Sequence, residues 1–167
     1  RSSFDDKPGT IVVSEEEIVE QQIVSGISQS KEESKITLLK IADKPGIAAS
    51  IFGPLADASI NVDMIVQNIS EDGNTTDLTF TVSTTDLKNA LEVLETRASN
   101  IGVGQIIADS NVVKISVVGI GMRSHAGIAQ KMFMALADKG INIKVISTSE
   151  IKVSVLVAEE YGELAVR

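Results

Sequence analysis

The spacing of apolar residues divides most of the chain into short strands and helices. A β-rich segment at 23–28 and a polar stretch at 29–34, read as a loop, precede an Ile- and Leu-rich strand at 36–42. A Pro-Gly turn follows, and apolar residues then recur at helical spacing over 47–58. The other elements predicted in this part are strands at 61–70, 76–83 and 103–109, a hairpin loop at 71–74, and a helix from Thr85 or Asp86 to about 98.

The order strand, helix, strand, strand, helix, strand is that of the ferredoxin-like split βαβ arrangement, so we predict an α+β fold. Within the strand at 61–70, Val62, Met64 and Val66 are apolar residues at alternating positions. Pro54 lies inside the first helix. Because proline has no N–H, we expect it to bend that helix or weaken its hydrogen bonding.

The same order then begins again. Strands are predicted at 112–118, 142–148 and 151–158, a loop at 119–126, a helix at 127–139, and the start of another helix at 159–167. This second unit lacks most of its last helix and its closing strand. Either the sequence is cut short, or an earlier segment such as 23–28 fills the gap. We therefore predict two ferredoxin-like modules in tandem, at 23–110 and 111–167, the second truncated at its C-terminal end.

Residues 1–22 have a different character. They contain a turn at Pro8-Gly9, a short β-rich run and an acidic stretch in which Ser14 and Glu17 have the spacing of a helix-capping box. No core partner for this segment is evident in the sequence. We interpret it as a linker or as the tail of another domain.

An internal repeat supports the tandem arrangement. The twenty residues from Gly46 align with the twenty from Gly127 without a gap, and ten are identical, where chance would give about one. Some shared positions are those of a core, such as Phe52 and Phe133. Others are not readily explained by packing, namely the two glycines and the pair Asn61 and Asn142.

Two interpretations of this repeated glycine and asparagine remain open. Glycine is commonly just a turn residue before a helix, and asparagine a residue that follows a helix. However, both recur around one helix, whose first N–H groups and positive dipole end suit a carboxylate. The asparagine can offer backbone and amide groups to an ammonium. Together they indicate a site for an α-amino acid.

Composition excludes several classes of function. The formal net charge is −8 and aromatic residues make up 3% of the chain, which argues against phosphate neutralisation and base stacking and hence against nucleic-acid binding. The absence of cysteine removes disulfides, thiolate nucleophiles and Cys-based zinc sites, and fits a cytoplasmic protein. No apolar run is long enough for a membrane span, and no signal peptide is recognisable.

Local motifs for catalysis, metal or nucleotide binding are also weak. His125 is the only histidine, and although Ser124 adjoins it, no carboxylate is placed in sequence to orient it. A single histidine without cysteine does not indicate a metal site. Gly119, Gly121 and Gly127 lie between a strand and a helix, but the third glycine comes three residues too late for a dinucleotide fingerprint. We therefore predict no catalytic residue, no metal site and no cofactor in this chain.

Two long segments resemble the paired ACT domains of bacterial aspartate kinases. They are "ITLLKIADKPGIAASIFGPLADASINVDMIVQN" and "KISVVGIGMRSHAGIAQKMFMALADKGINIKVISTSE", and the resemblance extends from about residue 23 to the end. The start, "RSSFDDKPGT", is similar to the last strand and exit of that family's kinase domain. The resemblance implies the regulatory part of an aspartate kinase, with ATP and Mg²⁺ used by a kinase domain outside this chain.

The resemblance also implies lysine and/or threonine as inhibitory effectors, bound where ACT modules meet, commonly across a homodimer. One site would combine a loop, the start of a helix and a strand residue of the first module with the strand start of the second. Its residues would be Asp43, Gly46, Ile47, Ala48 and Gln67 with Asn142 and Ile143. The related site would use Ser124, His125, Gly127, Ile128 and Ala129 with Asn61 and Val62, and Ser149 and Glu150 lie nearby.

The two implied sites differ chemically. The first loop offers Asp43, whereas the second offers Ser124 and His125 in a loop two residues longer, and Thr148 stands in place of Gln67. We therefore expect one site to be the main sensor and the other to be weaker or differently selective. The competing hypotheses are an ACT-repeat sensor with no attached enzyme and an enzyme acting through this chain itself.

Overall fold

The computed structural model describes residues 24–70, 73–119 and 127–167. Six strands and four α-helices are assigned within these ranges. In chain order they are β1 (Gly26–Ala42), α1 (Ile47–Asp57), β2 (Val62–Ile69), β3 (Thr75–Ser83), α2 (Leu87–Ile101), β4 (Gln105–Val118), α3 (Ile128–Asp138), β5 (Ile143–Thr148), β6 (Lys152–Ala158) and, after a 3₁₀ turn at Glu159–Tyr161, α4 (Gly162–Val166). The α+β class and the two ferredoxin-like units expected from the sequence are confirmed.

All six strands form one antiparallel sheet in the order β2-β3-β1-β4-β6-β5. The first unit comprises β2, β3, the second half of β1 and the first half of β4, with α1 and α2. The second unit comprises β5, β6 and the second half of β4, with α3 and α4. The long strands β1 and β4 lie side by side at the centre and run through both units.

Two details of the strand predictions were wrong. The polar stretch at 29–34 is not a loop but the middle of β1, and the strands predicted at 103–109 and 112–118 are the single strand β4. Both errors have one cause. Backbone hydrogen bonds between strands require no apolar side chains, so a polar segment can be part of a strand. Glu33 pairs with Val112 in this central region, where the register shifts on either side of Glu33.

The first residues of β1 close the sheet of the second unit. Gly26 pairs with Val118, and the ladder continues to Ser30 opposite Lys114. Of the two explanations for the missing strand, the structure shows the one in which an earlier segment supplies it. This segment lies beside β4, on the side of that strand opposite β6.

Each unit has its own core between its helices and one face of the sheet. In the first, Ile36 and Phe80 from the sheet meet Ile51 and Leu55 of α1 and Leu94 of α2, all nearly or fully buried. The Phe52 ring contacts Phe80 edge-on, with centroids 5.2 Å apart. In the second, the core consists of Val113, Ile115, Leu136, Ile141, Val155 and Val157.

A third apolar cluster joins the two units on the face of the sheet away from the helices. It contains Met64 of β2, Val112 of β4, Val145 of β5 and Leu156 of β6. The predicted alternation of β2 is broken here. Val62 packs against the helix-side core while Met64 belongs to the inter-unit cluster, because Met64 adopts a left-handed φ of 50° within a β-bulge.

The repeated helices α1 and α3 end in the same hydrogen-bonded motif. Ile60 N–H donates to Leu55 O and Ile141 N–H donates to Leu136 O, both at 2.9 Å. The preceding residues, Ser59 and Gly140, have φ of 59° and 68°. This is a Schellman-type end, in which a left-handed residue turns the chain into the next strand.

Pro54 does not interrupt α1, and the bend or weaker hydrogen bonding expected there stays a prediction. The helix continues from Ile47 to Asp57 across this proline, and Ala58 N–H donates to Pro54 O at 3.1 Å.

The start of α2 agrees with one of the two predicted residues. Asp86 occupies the N-cap position, but its side chain makes no capping hydrogen bond.

Candidate functional site

The starts of α1 and α3 have the same unusual geometry. Gly46 and Gly127 stand at the N-cap positions with φ of 88° and 99°, a left-handed conformation that only glycine adopts at little cost. No side chain caps either helix, and neither first turn contains an acidic residue. In α1, Ile47 N–H donates to Lys44 O at 3.2 Å. The N–H groups that follow it in the first turn, and the positive dipole end, are available to an anion such as a carboxylate.

The first half of one predicted site lies at one end of the first unit. Asp43 is exposed, and its backbone N–H donates to Asn74 O at 2.9 Å, which ties this loop to the β2–β3 hairpin. Gly46 and Ala48 are exposed, whereas Ile47 is buried and anchors the start of α1 in the core. Gln67 is exposed on β2, opposite Leu78 of β3.

The second half of that site approaches the first across a cleft between the units. Ile143 lines a cavity of about 370 Å³ together with Val66 and Asn68, the neighbours of Gln67. Asn142 directly precedes Ile143 and is exposed. The cleft is completed by Thr79, Lys144, Val145 and Ile146. The structure therefore brings β2 near the start of β5, but the start of α1 does not line this cavity.

The related predicted site is only partly described. Asn61 and Val62 line a separate cleft of about 270 Å³ with Glu32, Glu33, Asp63 and Thr81 among its other walls. Gly127, Ile128 and Ala129 form the start of α3 and do not line this cleft. Ser124 and His125 lie outside the described residues. Ser149 is in the β5–β6 turn, where its N–H donates to Lys152 O at 2.7 Å.

Thr81 has an uncommon environment in the wall of the Asn61 cleft. The residue is fully buried, and its Oγ1 is, within the described part of the chain, the one buried side-chain polar atom without a hydrogen-bond partner. Its neighbour on the same face, Thr79, shares a 3.1 Å hydrogen bond with Thr37. A buried hydroxyl without a partner is energetically costly, so a polar group in the cleft would stabilise it.

A charged cluster that sequence reasoning missed adjoins the same cleft. Lys114 of β4 forms ion pairs with Glu33 of β1 and with Asp63 of β2, the latter at 2.9 Å. Burial alone would lower the pKa of Lys114, but the hydrogen bonds to the two carboxylates outweigh it and raise the pKa above its ordinary value. Burial likewise opposes ionisation of Asp63, yet hydrogen bonds from Lys114 and from Met64 N–H lower its pKa.

In a second ion pair between the units, β4 provides the carboxylate and the edge strand provides the lysine. Lys144 of β5 contacts Asp109 of β4 at 2.6 Å, and Lys35 lies opposite Asp109 in the ladder. The hydrogen bond from Lys144 lowers the pKa of Asp109, against a smaller opposing effect of burial. The repeat alignment places Asp63 and Lys144 at equivalent positions with opposite charges. The aligned repeat shows this inversion, but it does not identify the partners Lys114 and Asp109 on β4.

The described residues offer little basis for other chemistry. No group of three or more His, Cys, Asp or Glu side chains in 24–70, 73–119 and 127–167 is placed to hold a metal ion. In the same ranges, no helix is both long and apolar enough to cross a membrane.

The ACT domain family matches both units. One ACT family covers residues 35–98 and a second covers residues 115–167. These ranges contain the helices α1 and α3 with their glycine starts. The repeat found in the sequence therefore corresponds to two ACT domains.

Aspartokinases are similar to this chain over nearly its whole length. The aspartokinase of Pseudomonas aeruginosa is 54% identical over 167 residues, which is 99% of this chain and 40% of that protein. The aspartokinase of Corynebacterium glutamicum is 45% identical over 171 residues, again with 40% of its length covered. The chain thus spans about two fifths of the curated relatives that it matches.

Solved structures of aspartokinase subunits have the same fold. A crystal structure of aspartokinase alpha and beta subunits matches with a TM-score of 0.80 and 52% identity, over 86% of this chain and 94% of that one. The ligand-free regulatory subunit of aspartate kinase from Thermus thermophilus matches with a TM-score of 0.82 and 38% identity, over 87% and 95% of the two chains.

Proposed function

This chain belongs to the ACT-domain family of aspartate kinase regulatory subunits, and from that premise we propose that it senses amino-acid end products, lysine and/or threonine. Binding would inhibit an associated kinase by favouring one of two arrangements of the units. The whole protein would phosphorylate the β-carboxylate of aspartate with ATP and Mg²⁺, both bound by a catalytic domain outside these 167 residues.

The observation that carries this proposal is the repeated, uncapped helix start. An α-amino acid has one carboxylate, which suits the first-turn N–H groups of α1 beyond Ile47 and those of α3. Its ammonium needs acceptors, which Asp43 and the amide oxygen of Asn61 or Asn142 can provide. Both asparagines are exposed at the start of an edge strand, so neither is used by the core.

The two clefts favour different ligands. The Asn61 cleft carries Glu32, Glu33 and Asp63 in its wall, whereas the cleft beside Ile143 carries Lys144. A second cationic group on the effector is attracted to the first environment and repelled by the second. We therefore propose that lysine prefers the Asn61 side and that threonine, whose side chain is neutral, tolerates the Asn142 side.

Assembly into a homodimer is part of the proposal. The edge strands β2 and β5 present unpaired backbone groups, and Ile65, Ile69 and Ile146 are exposed along them. Two chains joined by these edges would satisfy the backbone groups and cover the isoleucines. Such pairing would also bring the helix start of one chain towards the strand start of its partner, which the single chain leaves apart.

The test is calorimetric titration of the dimeric protein with lysine, threonine and methionine, and with lysine and threonine combined. We expect saturable binding, together with a rise in thermal stability that grows with ligand concentration. Asn61→Ala should weaken lysine binding and Asn142→Ala threonine binding, each by about tenfold for one lost charge-assisted hydrogen bond. Unfolding curves of both variants should match the parent, since both side chains are exposed.

Two results would contradict the proposal. Absence of a heat signal and of any stability shift with all three amino acids would argue against a sensor. Two identical sites for one amino acid would argue against the proposed division between the clefts. Inhibition itself is tested by adding effectors to a complex with the catalytic domain, where the Asn61→Ala variant should need more lysine for the same inhibition.

A further inference from the structure

We infer that Lys114 is a positioning residue that holds the Asn61 side of the effector site in shape and connects it to the strand pair shared by both units. This inference rests on the proposed effector function, and it adds a residue that does not itself line the Asn61 cleft. The contacts of Lys114 reach from β4 to both β1 and β2. A change at either end of this connection is therefore transmitted to the other.

The link to the cleft runs through Asp63. Its Oδ2 accepts a hydrogen bond from Lys114 Nζ at 2.9 Å, while its Oδ1 accepts one from Met64 N–H at 2.8 Å. The carboxylate thus joins a side chain of the second unit to the backbone of the first. Asn61 and Val62 immediately precede it and stand in the same cleft wall.

The segment that Asp63 holds is strained. Met64 has a φ of 50°, which is uncommon for a residue with a side chain, and it lies in a β-bulge between Asp63 and Val66. Such a conformation persists only when its surroundings enforce it. Here the buried Met64 side chain and the Asp63 hydrogen bond both do so, and Lys114 fixes the orientation of that carboxylate.

The other end of the link lies where the sheet passes from one unit to the other. Lys114 also pairs with Glu33, and the β1–β4 register shifts on both sides of Glu33. The side chains of Lys114 and Glu33 are only 16% and 11% exposed. In contrast, Lys88 on α2 is 91% exposed and pairs with Glu92 at 3.9 Å, as an ordinary surface ion pair does.

The second unit provides the natural contrast. Lys144 occupies the position equivalent to Asp63 and also lies at a register shift, between Ile143 and Val145, but it pairs with Asp109 of β4. The next residue, Val145, does not have a positive φ. A strained bulge held by a carboxylate and a lysine from the other unit is therefore specific to the Asn61 side.

The experiment compares Lys114→Met with Lys88→Met, which removes the same charge from an exposed helix position. We expect Lys114→Met to weaken binding on the Asn61 side by about tenfold, to leave the Asn142 side within about twofold, and to shift the Met64 amide resonance in ¹⁵N spectra. Lys88→Met should change none of these. Lys114→Arg, which preserves the cation, should restore most of the affinity and of the Met64 signal.

Asp63→Asn is a second variant in case Lys114→Met folds poorly. Its side chain is 53% exposed, so the fold should tolerate it while the charged contact to Lys114 is lost. Met64 should then lose hydrogen-exchange protection.

The inference is overturned if both variants leave the Met64 amide and the Asn61-side affinity at parent values, or if Lys88→Met has an equal effect. Failure of the parent to bind any amino acid counts against the proposed function instead. The Met64 measurements, made without ligand, still decide the positioning role in that event.

Discussion

The helices α1 and α3 have the same residue at six of eleven positions, yet the surroundings of their equivalent residues differ. In the first, α2 (Leu87–Ile101) covers the sheet beside α1. In the second, a groove of about 400 Å³ is lined by α3 and by Leu164, Ala165 and Val166. The comparison shows that a helix with the same glycine start and the same left-handed end packs on the sheet in both units.

The largest effect expected from this comparison concerns two equivalent leucines. Leu55 is fully buried beneath α2, whereas Leu136 lines the groove. We expect Leu55→Ala to destabilise the protein by about 3–5 kcal/mol and Leu136→Ala by about half as much, since a site beside open space relaxes more readily. Urea unfolding measures both, and equal losses would show that the groove does not relieve the second core.

Substitutions at the ends of α1 and α3 should change stability by a smaller amount and in opposite directions. Ser59 and Gly140 occupy the same left-handed position, but only glycine does so without steric cost. Ser59→Gly should stabilise the protein by about 0.5–1 kcal/mol, and Gly140→Ser should destabilise it by about 1 kcal/mol. Thermal unfolding of the two variants tests this, and shifts of the same sign would refute it.

Two threonines of β3, Thr81 and Thr79, permit a further comparison, with an expected change in stability of similar magnitude. Strand pairing makes Leu156 the counterpart of Thr81, whose hydroxyl has no partner. Thr81→Val should therefore be neutral or stabilising by up to about 1 kcal/mol, while Thr79→Val, which breaks the bond to Thr37, should cost about 1 kcal/mol. If the Asn61 cleft binds a polar ligand group at Thr81, the same Thr81→Val variant should bind effector more weakly.

The smallest expected effect is on acid stability. The pKa of Asp63 and that of Asp109 are lowered in the folded state, so their stabilising contributions are present above the unfolded-state pKa and are lost as the pH falls through the folded-state values. Stability should decline below about pH 4. Lys144→Met should reduce the part due to Asp109, by less than about 1 kcal/mol for a partly exposed pair.

The measurement for this prediction is urea unfolding at neutral and acidic pH, with Lys88→Met as the surface control. A Lys144→Met variant whose stability depends on pH just as that of the parent does would mean that the Asp109 contact contributes nothing in solution.

The two units also show how far sequence reasoning extends. Helical spacing and glycine starts located α1 and α3 to within a residue, because these signals act over a few neighbouring positions. The strand at 29–34 escaped detection because its evidence is the distant partner β4. The bulge at Met64 could not be predicted for a similar reason. The alternation of apolar residues on β2 is interrupted where Met64 packs against residues of the second unit.

In the candidate site too, some features could be predicted from neighbouring residues and others depend on the folded sheet. Its glycines and asparagines were visible as repeated residues at fixed spacing. The ion pairs of Lys114 and Lys144 were not, because they join segments that only the sheet brings together. The polar cleft around Thr81 depends on an unmet hydrogen bond, a property that no residue pattern records.

The shared strand β1 has a consequence for biosynthesis. Gly26 emerges from the ribosome long before its partner Val118, roughly ninety residues later in the chain. The second unit therefore cannot complete its sheet from its own residues, and it uses the earlier segment Gly26–Ser30 instead. High contact order of this kind slows folding, and it also means that the sheet of the second ACT domain is complete only when residues 26–30 belong to the same chain.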